Sequence, residues 1–215
     1  EDGYPFELEQ DSLANAMGLR LPNRALWMIQ GPVGSGKSLI SQRLIFGLLE
    51  NGSKLLVVTT ELTTRGWVEQ MESVGYPITK YLANGKLMVF SRYGVIAESK
   101  PDVGIIEVLE SEAVDKADVV VIDTASSLMP VQSTPEENLA FMQRLRGICS
   151  DSHSILLTID EDEVDSGMLH SLRSSCEVVL DMNAAFVGGE LKRNLVVTRF
   201  LRASGPVQAS VGWRV

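Results

Sequence analysis

The chain has few of the residues that mark several protein classes. Only two cysteines, Cys149 and Cys176, occur in 215 residues, and their spacing matches no metal-ligand pattern. A disulfide scaffold is therefore excluded, and two buried thiols in a reducing cytosol are the expected state. No run of about 18 apolar residues is present, so no membrane-spanning helix is expected. Cations are also scarce: 19 Lys and Arg stand against 28 Asp and Glu, for a net charge of −9. Broad binding to nucleic acid needs a basic stripe, so a direct nucleic-acid partner is not expected. The two histidines, His153 and His170, are isolated and read as surface residues. No signal-peptide pattern is visible. Opening on Glu1 and closing on Val215 without a stop signal, the chain reads as a piece of a slightly longer protein. Its length is that of one domain, spanning 1–215.

The most informative stretch is Gly31-Pro-Val-Gly-Ser-Gly-Lys-Ser38, which fits G-x-x-x-x-G-K-[ST], the phosphate-binding P-loop or Walker A motif. Glycines allow the backbone to wrap tightly around an anion. Successive N–H groups then converge on phosphate oxygens, and the next helix presents its unpaired N–H groups and positive dipole end to the same charge. Lys37 adds a point charge for the β- and γ-phosphates, and the Ser38 hydroxyl is placed for Mg²⁺. Ala25–Ile29 before the motif reads as a buried strand, and Ser38–Glu50 after it has helical apolar spacing. The nucleotide-binding set is thus Gly31, Val33, Gly34, Ser35, Gly36, Lys37, Ser38 and Leu39.

Further along, buried-strand and helical patterns alternate. Strands are expected at Leu55–Thr59, Lys86–Phe90, Asp118–Asp123, Ser154–Thr158 and Glu177–Asp181. Helices are expected near 65–74, over Pro101–Val114, over Pro135–Cys149 with Ser133 or Thr134 as cap, and over Ser166–Ser175. Such alternation predicts an α/β fold, a mostly parallel sheet with helices on both faces. Phe186–Glu190, Asn194–Phe200 and Val207–Val215 look like three strands of a C-terminal antiparallel meander at the sheet edge. Trp27 and Trp67 read as core or helix-face residues, and Trp213 as core or interface.

Asp123 closes the apolar run Val119–Ile122, a Walker B arrangement in which a carboxylate at a strand's carboxyl end holds Mg²⁺ directly or through water. Ser38 and Asp123 are therefore the metal candidates. Glu61 follows Leu55–Thr59 at the end of a strand where ligands gather in open parallel sheets. It is the catalytic candidate, a base for water in line with the γ-phosphate, with a solvated loop acid as the other reading. Arg199 and Arg202 read either as trans contacts to a neighbour's γ-phosphate or as solvated edge-strand cations.

The order of P-loop, Val57-Val-Thr-Thr-Glu61, the Asp123 strand and a terminal meander resembles the RecA superfamily and its KaiC-like ATPases. Thr59-Thr-Glu-Leu-Thr-Thr-Arg65, continuing to Tyr76, is similar to the FlaH (ArlH) family, the ATP-binding accessory protein of the archaeal flagellum, or archaellum. Gly18–Pro22 and Leu169–Leu180 fit the same pattern, and the resemblance covers essentially the whole chain. It implies a RecA-like fold, ATP and Mg²⁺ as cofactors, and an inter-subunit site in a hexameric homo-oligomer. The implied partners are the archaellum motor ATPase, the polytopic membrane platform protein and a ring or switch component. The implied location is cytoplasmic, peripheral to a membrane-embedded motor. The resemblance further implies that bound ATP acts as a regulator of assembly, with weak or absent turnover.

Three departures stand out. KaiC-type sites carry adjacent glutamates where this chain has Thr60-Glu61; the finger pattern is one residue longer at Arg199-Phe-Leu-Arg202; and only Gly18 remains of the glycine-rich entry. In a strand Arg199 and Arg202 would face opposite sides unless a bulge intervenes. Three functions are therefore expected to compete: a nucleotide-gated assembly protein, a DNA-linked ATPase, and a KaiC-like signalling ATPase.

Overall fold

The computed structural model describes residues 3–91, 104–112, 114–151 and 153–213. Two short strands, β1 (Gly3–Pro5) and β2 (Arg20–Pro22), pair antiparallel and flank α1 (Leu13–Ala16). The main sheet then begins with β3 (Leu26–Gly31), followed by α2 (Lys37–Glu50) and β4 (Leu55–Thr59). Next come α3 (Thr64–Ser73), α4 (Thr79–Ala83), β5 (Leu87–Ser91), α5 (Ile105–Leu109) and β6 (Val119–Asp123). The chain continues through α6 (Pro135–Asp151), β7 (Ser154–Asp160) and α7 (Ser166–Ser175). It ends with β8 (Val178–Val187), β9 (Glu190–Phe200) and β10 (Ser210–Trp213).

Eight strands form one sheet in the order β10-β9-β8-β3-β7-β6-β4-β5. All pairs from β8 to β5 are parallel, and β8–β9 and β9–β10 are antiparallel. The central strands are buried on both faces, which is why their sequences read as unbroken apolar runs. Alternate side chains divide between two cores. Trp27, Ile29, Leu55, Val57, Val119, Val121 and Leu156 pack with Leu44, Ile45, Trp67 and Met71 of α2 and α3. Met28, Leu56, Val58, Val120, Ile122, Ile155 and Leu157 pack with Leu145, Cys149, Met168 and Leu172 of α6 and α7. No helix of the described residues is long and apolar enough to cross a membrane.

Several expectations change in detail. Phe186–Glu190 is not a strand of its own: β8 runs on to Val187, and Gly188-Gly189, both at positive φ, form the hairpin turn into β9. The last strand is confined to Ser210–Trp213, because Val207 instead bridges Met17; residues 214 and 215 lie outside the described residues. Of the expected helix Pro101–Val114, only Ile105–Leu109 is α-helical, and Val114 opens a short 3₁₀ turn; positions 101–103 and 113 lie outside the described residues. His153 is buried, not at the surface: its Nδ1 lies 2.6 Å from the Ala117 carbonyl, because the entry to β7 backs onto the segment leading into β6. His170 is exposed. Thr134 caps α6 through a reciprocal box, with Glu137 N–H donating to its hydroxyl at 3.2 Å and its own N–H donating to the Glu137 carboxylate at 2.9 Å.

Candidate functional site

Strand register gathers the site. Gly31 on β3 lies opposite Asp160 on β7, and Thr59 on β4 lies opposite Asp123 on β6, so all four stand at the carboxyl end of the parallel sheet. Alternation along the strands puts Thr59, Asp123, Thr158 and Asp160 on the same face as Val57, Val121 and Leu156, the face covered by α2. The loop leaving β3 therefore rises over a row of polar side chains.

Its shape depends on glycine at two points. Gly36 takes φ 96° as it hands the chain to α2. A β-carbon on Gly31 would stand 2.6 Å from the Ser35 hydroxyl oxygen and 2.7 Å from the Met182 carbonyl, so only glycine fits there. Val33, Gly34, Gly36, Lys37, Ser38 and Leu39 wall a cleft of about 370 Å³ with Glu61, Thr124, Asp160, Glu163 and Arg193. Val33 and Ser38 are exposed, and Ser35 is buried with a hydroxyl that has no hydrogen-bond partner among the described residues.

Lys37 is buried. Its Nζ donates to the Gly31 and Pro32 carbonyls, each at 2.9 Å, and lies 2.6 Å from Asp160 Oδ1. The Asp160 backbone N–H donates to the Ser126 hydroxyl at 2.8 Å, which fixes the strand end that carries the carboxylate. Asp123 sits behind Thr124 and accepts a hydrogen bond from the Thr158 hydroxyl at 2.9 Å on Oδ1. Burial pushes the Asp123 carboxyl up to about 6; the Thr158 bond opposes that rise, the charges of Glu61 and Asp160 add to it, and Lys37 again lowers it.

Glu61 is exposed on the cleft wall, and the backbone below it is locked. Thr60 N–H donates to the Asp123 carbonyl at 2.8 Å. The Thr60 hydroxyl donates to the Thr124 carbonyl at 2.7 Å and accepts from the Thr124 N–H at 2.9 Å. The position where KaiC-like sites carry a first glutamate is thus a buried clamp between two strand ends, with both valences of its hydroxyl in use. This gives a physical reason for the lone acid.

Arg199 and Arg202 are tied to different parts of the chain. The register between β8 and β9 shifts at Val179/Leu180, so the bulge falls before Arg199 and not between the two arginines. β9 ends at Phe200, and Arg202 follows at φ 58°. Arg199 donates to the Ser174 carbonyl at 3.0 Å; Arg202 donates to the Asn23 side chain at 3.1 Å and to its carbonyl at 2.7 Å. Neither lines the P-loop cleft.

Three participants escaped the reading of the sequence. Thr158 and Asp160 come from β7, which runs two residues beyond the expected Ser154–Thr158. The run Ile155-Leu-Leu-Thr-Ile-Asp160 ends on an acid just as Val119–Asp123 does, and that repetition was the available signal. Arg193 reaches the loop from β9, and no local pattern announces it.

The residues suit a nucleotide with a divalent cation. The cleft has a glycine-rich loop and a lysine on its wall, the buried Ser35 hydroxyl and Arg193 Nε have no hydrogen-bond partner among the described residues, and Asp123 engages the Thr158 hydroxyl through one oxygen. Ser38 and Asp123 are the residues that would hold the cation.

Comparison with known proteins agrees. The family model described as "ATPase: KaiC" matches residues 11–205. The archaeal flagellar ATP-binding protein FlaH of Methanococcus voltae is 30% identical over 211 residues, spanning 98% of this chain and 92% of that protein. The chain belongs to the KaiC-type ATPases and, within them, to the FlaH family. The FlaH of Methanocaldococcus jannaschii is 29% identical over 214 residues, covering 98% of this chain and 91% of that one. The crystal structure of the flagellar accessory protein FlaH from the same organism superposes with a TM-score of 0.88 at 28% identity, covering 99% of this chain and 95% of that chain. The fold of this FlaH-family chain is RecA-like, with the antiparallel strands β9 and β10 added at one edge.

Proposed function

We propose that the chain is an ATP-binding component of the archaellum whose nucleotide state gates its docking on the motor. The observation that carries ATP binding is the gathering of Lys37, Ser38 and the glycine-rich loop on one cleft, in a chain similar over nearly its whole length to ATP-binding flagellar proteins. Lys37 neutralises the terminal phosphates, the loop amides and the α2 N-terminus orient them, and Ser38 with Asp123 holds Mg²⁺. Bound cation supplies charge neutralisation for the β- and γ-phosphates.

Gating needs a difference in affinity: ATP has to bind the docking-competent state better than the other. The partners are the motor ATPase, the membrane platform protein and the surrounding ring component, with the chain itself in a ring of copies. Slow turnover is supported by the lone Glu61 and by Arg199 and Arg202 being hydrogen-bonded to their own chain. The alternative is an active KaiC/RecA-like ATPase, favoured by Glu61 standing on the cleft wall.

Turnover of Mg²⁺-ATP by the purified chain separates the two. Rates well below about 1 s⁻¹, insensitive to DNA, are expected. Turnover at or above that rate, lost in Glu61→Gln, would establish the alternative.

A further inference from the structure

Arg193 lines the cleft, and the P-loop chemistry leaves it unexplained. It lies on β9, opposite Ala184 of β8 and Trp213 of β10. Its side chain crosses β8 to reach the loop after β3: Cδ lies 2.8 Å and Nε 3.1 Å from where a β-carbon on Gly36 would stand. The larger side chain of any other residue at 36 would displace it. Nε is buried with no hydrogen-bond partner, and the guanidinium makes no ion pair among the described residues.

The other packed arginines differ. Arg43 is held by Asp11 and the Phe6 carbonyl, Arg146 by Glu177, and Arg173 by Asp181. Burying Nε without an acceptor is unfavourable, and in a chain of net charge −9 carboxylates are plentiful. Arg193 is aimed instead at a loop built to hold an anion.

The strand order says which part of that anion it meets. β9 lies two strands to one side of β3, and β7 and β6, carrying Asp160 and Asp123, lie on the other. On the nucleotide-binding reading, Lys37, Asp160 and Thr124 mark the terminal-phosphate end of the cleft. Arg193 enters from the opposite flank, where it also walls a larger cavity of about 850 Å³ with Asp11, Ser12, Tyr76, Leu191 and Val211.

We infer that Arg193 is a nucleotide ligand supplied in cis, its guanidinium pairing with the α- and β-phosphates of a nucleoside di- or triphosphate. This rests on the nucleotide-binding reading above. It assigns a phosphate-contacting arginine to the same chain, on a strand the motif does not include. Because the phosphates it meets are common to ADP and ATP, Arg193 fixes how tightly the nucleotide is held, while Lys37 and Asp160 sense its length.

Titration calorimetry with ADP and with ATP, each with Mg²⁺, tests this on the full chain, with melting temperatures measured in the absence of nucleotide. Arg193→Gln is expected to weaken ADP and ATP alike by about tenfold or more, the loss of a charge-assisted hydrogen bond. Arg193→Lys keeps the charge but loses the planar fork, and is expected to fall between wild type and Arg193→Gln. Should Arg193→Gln fail to fold, Arg193→Lys decides alone, several-fold weakening of both nucleotides supporting the inference. Affinities within twofold of wild type in the folded variants would overturn it, as would a loss confined to ATP. Failure of the wild-type chain to bind either nucleotide would instead refute the underlying reading, as would a Lys37→Ala variant that binds both with wild-type affinity.

Discussion

Asp160 Oδ1 stands 2.6 Å from Lys37 Nζ, and both side chains are more than nine-tenths buried. The lysine meant for the terminal phosphates therefore already has an anionic partner, held from the strand between the P-loop strand and the Asp123 strand. A phosphate reaching Lys37 has to share it with a carboxylate of like charge, so Asp160 sets the preference between ATP and ADP.

Asp160→Asn keeps a hydrogen-bond acceptor for Lys37 and removes the negative charge. ATP affinity is expected to rise relative to ADP by about fivefold, the equivalent of roughly 1 kcal/mol of relieved repulsion. Competition titration with both nucleotides measures the ratio, and an unchanged ratio would show that Asp160 plays no part in discrimination.

The raised Asp123 carboxyl carries a pH dependence of definite sign. Its folded value, about 6, lies above the ordinary 3.8, so between those values the folded state binds more protons than the unfolded state. Stability from this group is greatest below the unfolded value and is lost as pH rises through about 6. Asp123→Asn retains an acceptor for Thr158 and is expected to raise stability at pH 7.5, without nucleotide or divalent cation, by up to about 3 kcal/mol. The gain should vanish below pH 4. Denaturant titrations at the two pH values check it. The same protonation predicts that the Mg²⁺ dependence of ATP affinity shrinks as pH falls through 6.

Thr60 joins the ends of β4 and β6 with two hydrogen bonds from one hydroxyl. Thr60→Val keeps the shape and strands the Thr124 N–H and carbonyl. A loss of about 2–3 kcal/mol in urea unfolding is expected, with the midpoint falling and the slope unchanged. A loss below about 0.5 kcal/mol would mean that the strand ends hold together without the clamp.

Cys149 and Cys176 are both buried, and burial pushes the Cys149 thiol up to about 12 and Cys176 higher still. Reaction with a disulfide reagent at pH 8 is expected to be limited by opening of the fold, and to become immediate in denaturant. Fast reaction of either thiol in the native chain would contradict its placement in the core.

The parts of the site written contiguously were legible. Gly31 through Leu39 declare themselves by spacing, and Asp123 by the apolar run before it, because a strand buried on both faces must be continuous in hydrophobicity. The alternation of elements gave the parallel sheet for the same reason. Thr158, Asp160 and Arg193 were hidden because sheet order brings them to the loop: β7 lies between β3 and β6 in space but follows both in sequence, and β9 arrives after all three. The C-terminal boundaries went astray where Asp181 and Asn183 interrupt the apolar run and β8 comes out into solvent, so one ten-residue strand read as two. His153 was misplaced because a single polar residue ahead of a strand carries no sign of what packs over it.

Docking of the chain on its motor ATPase partner, measured as an affinity with and without Mg²⁺-ATP for wild type, Lys37→Ala and Glu61→Gln, tests the gating claim most directly. The account predicts ATP-dependent docking in wild type, its loss together with nucleotide binding in Lys37→Ala, and its retention in Glu61→Gln. Lys37→Ala docking with wild-type affinity while binding no nucleotide would contradict it.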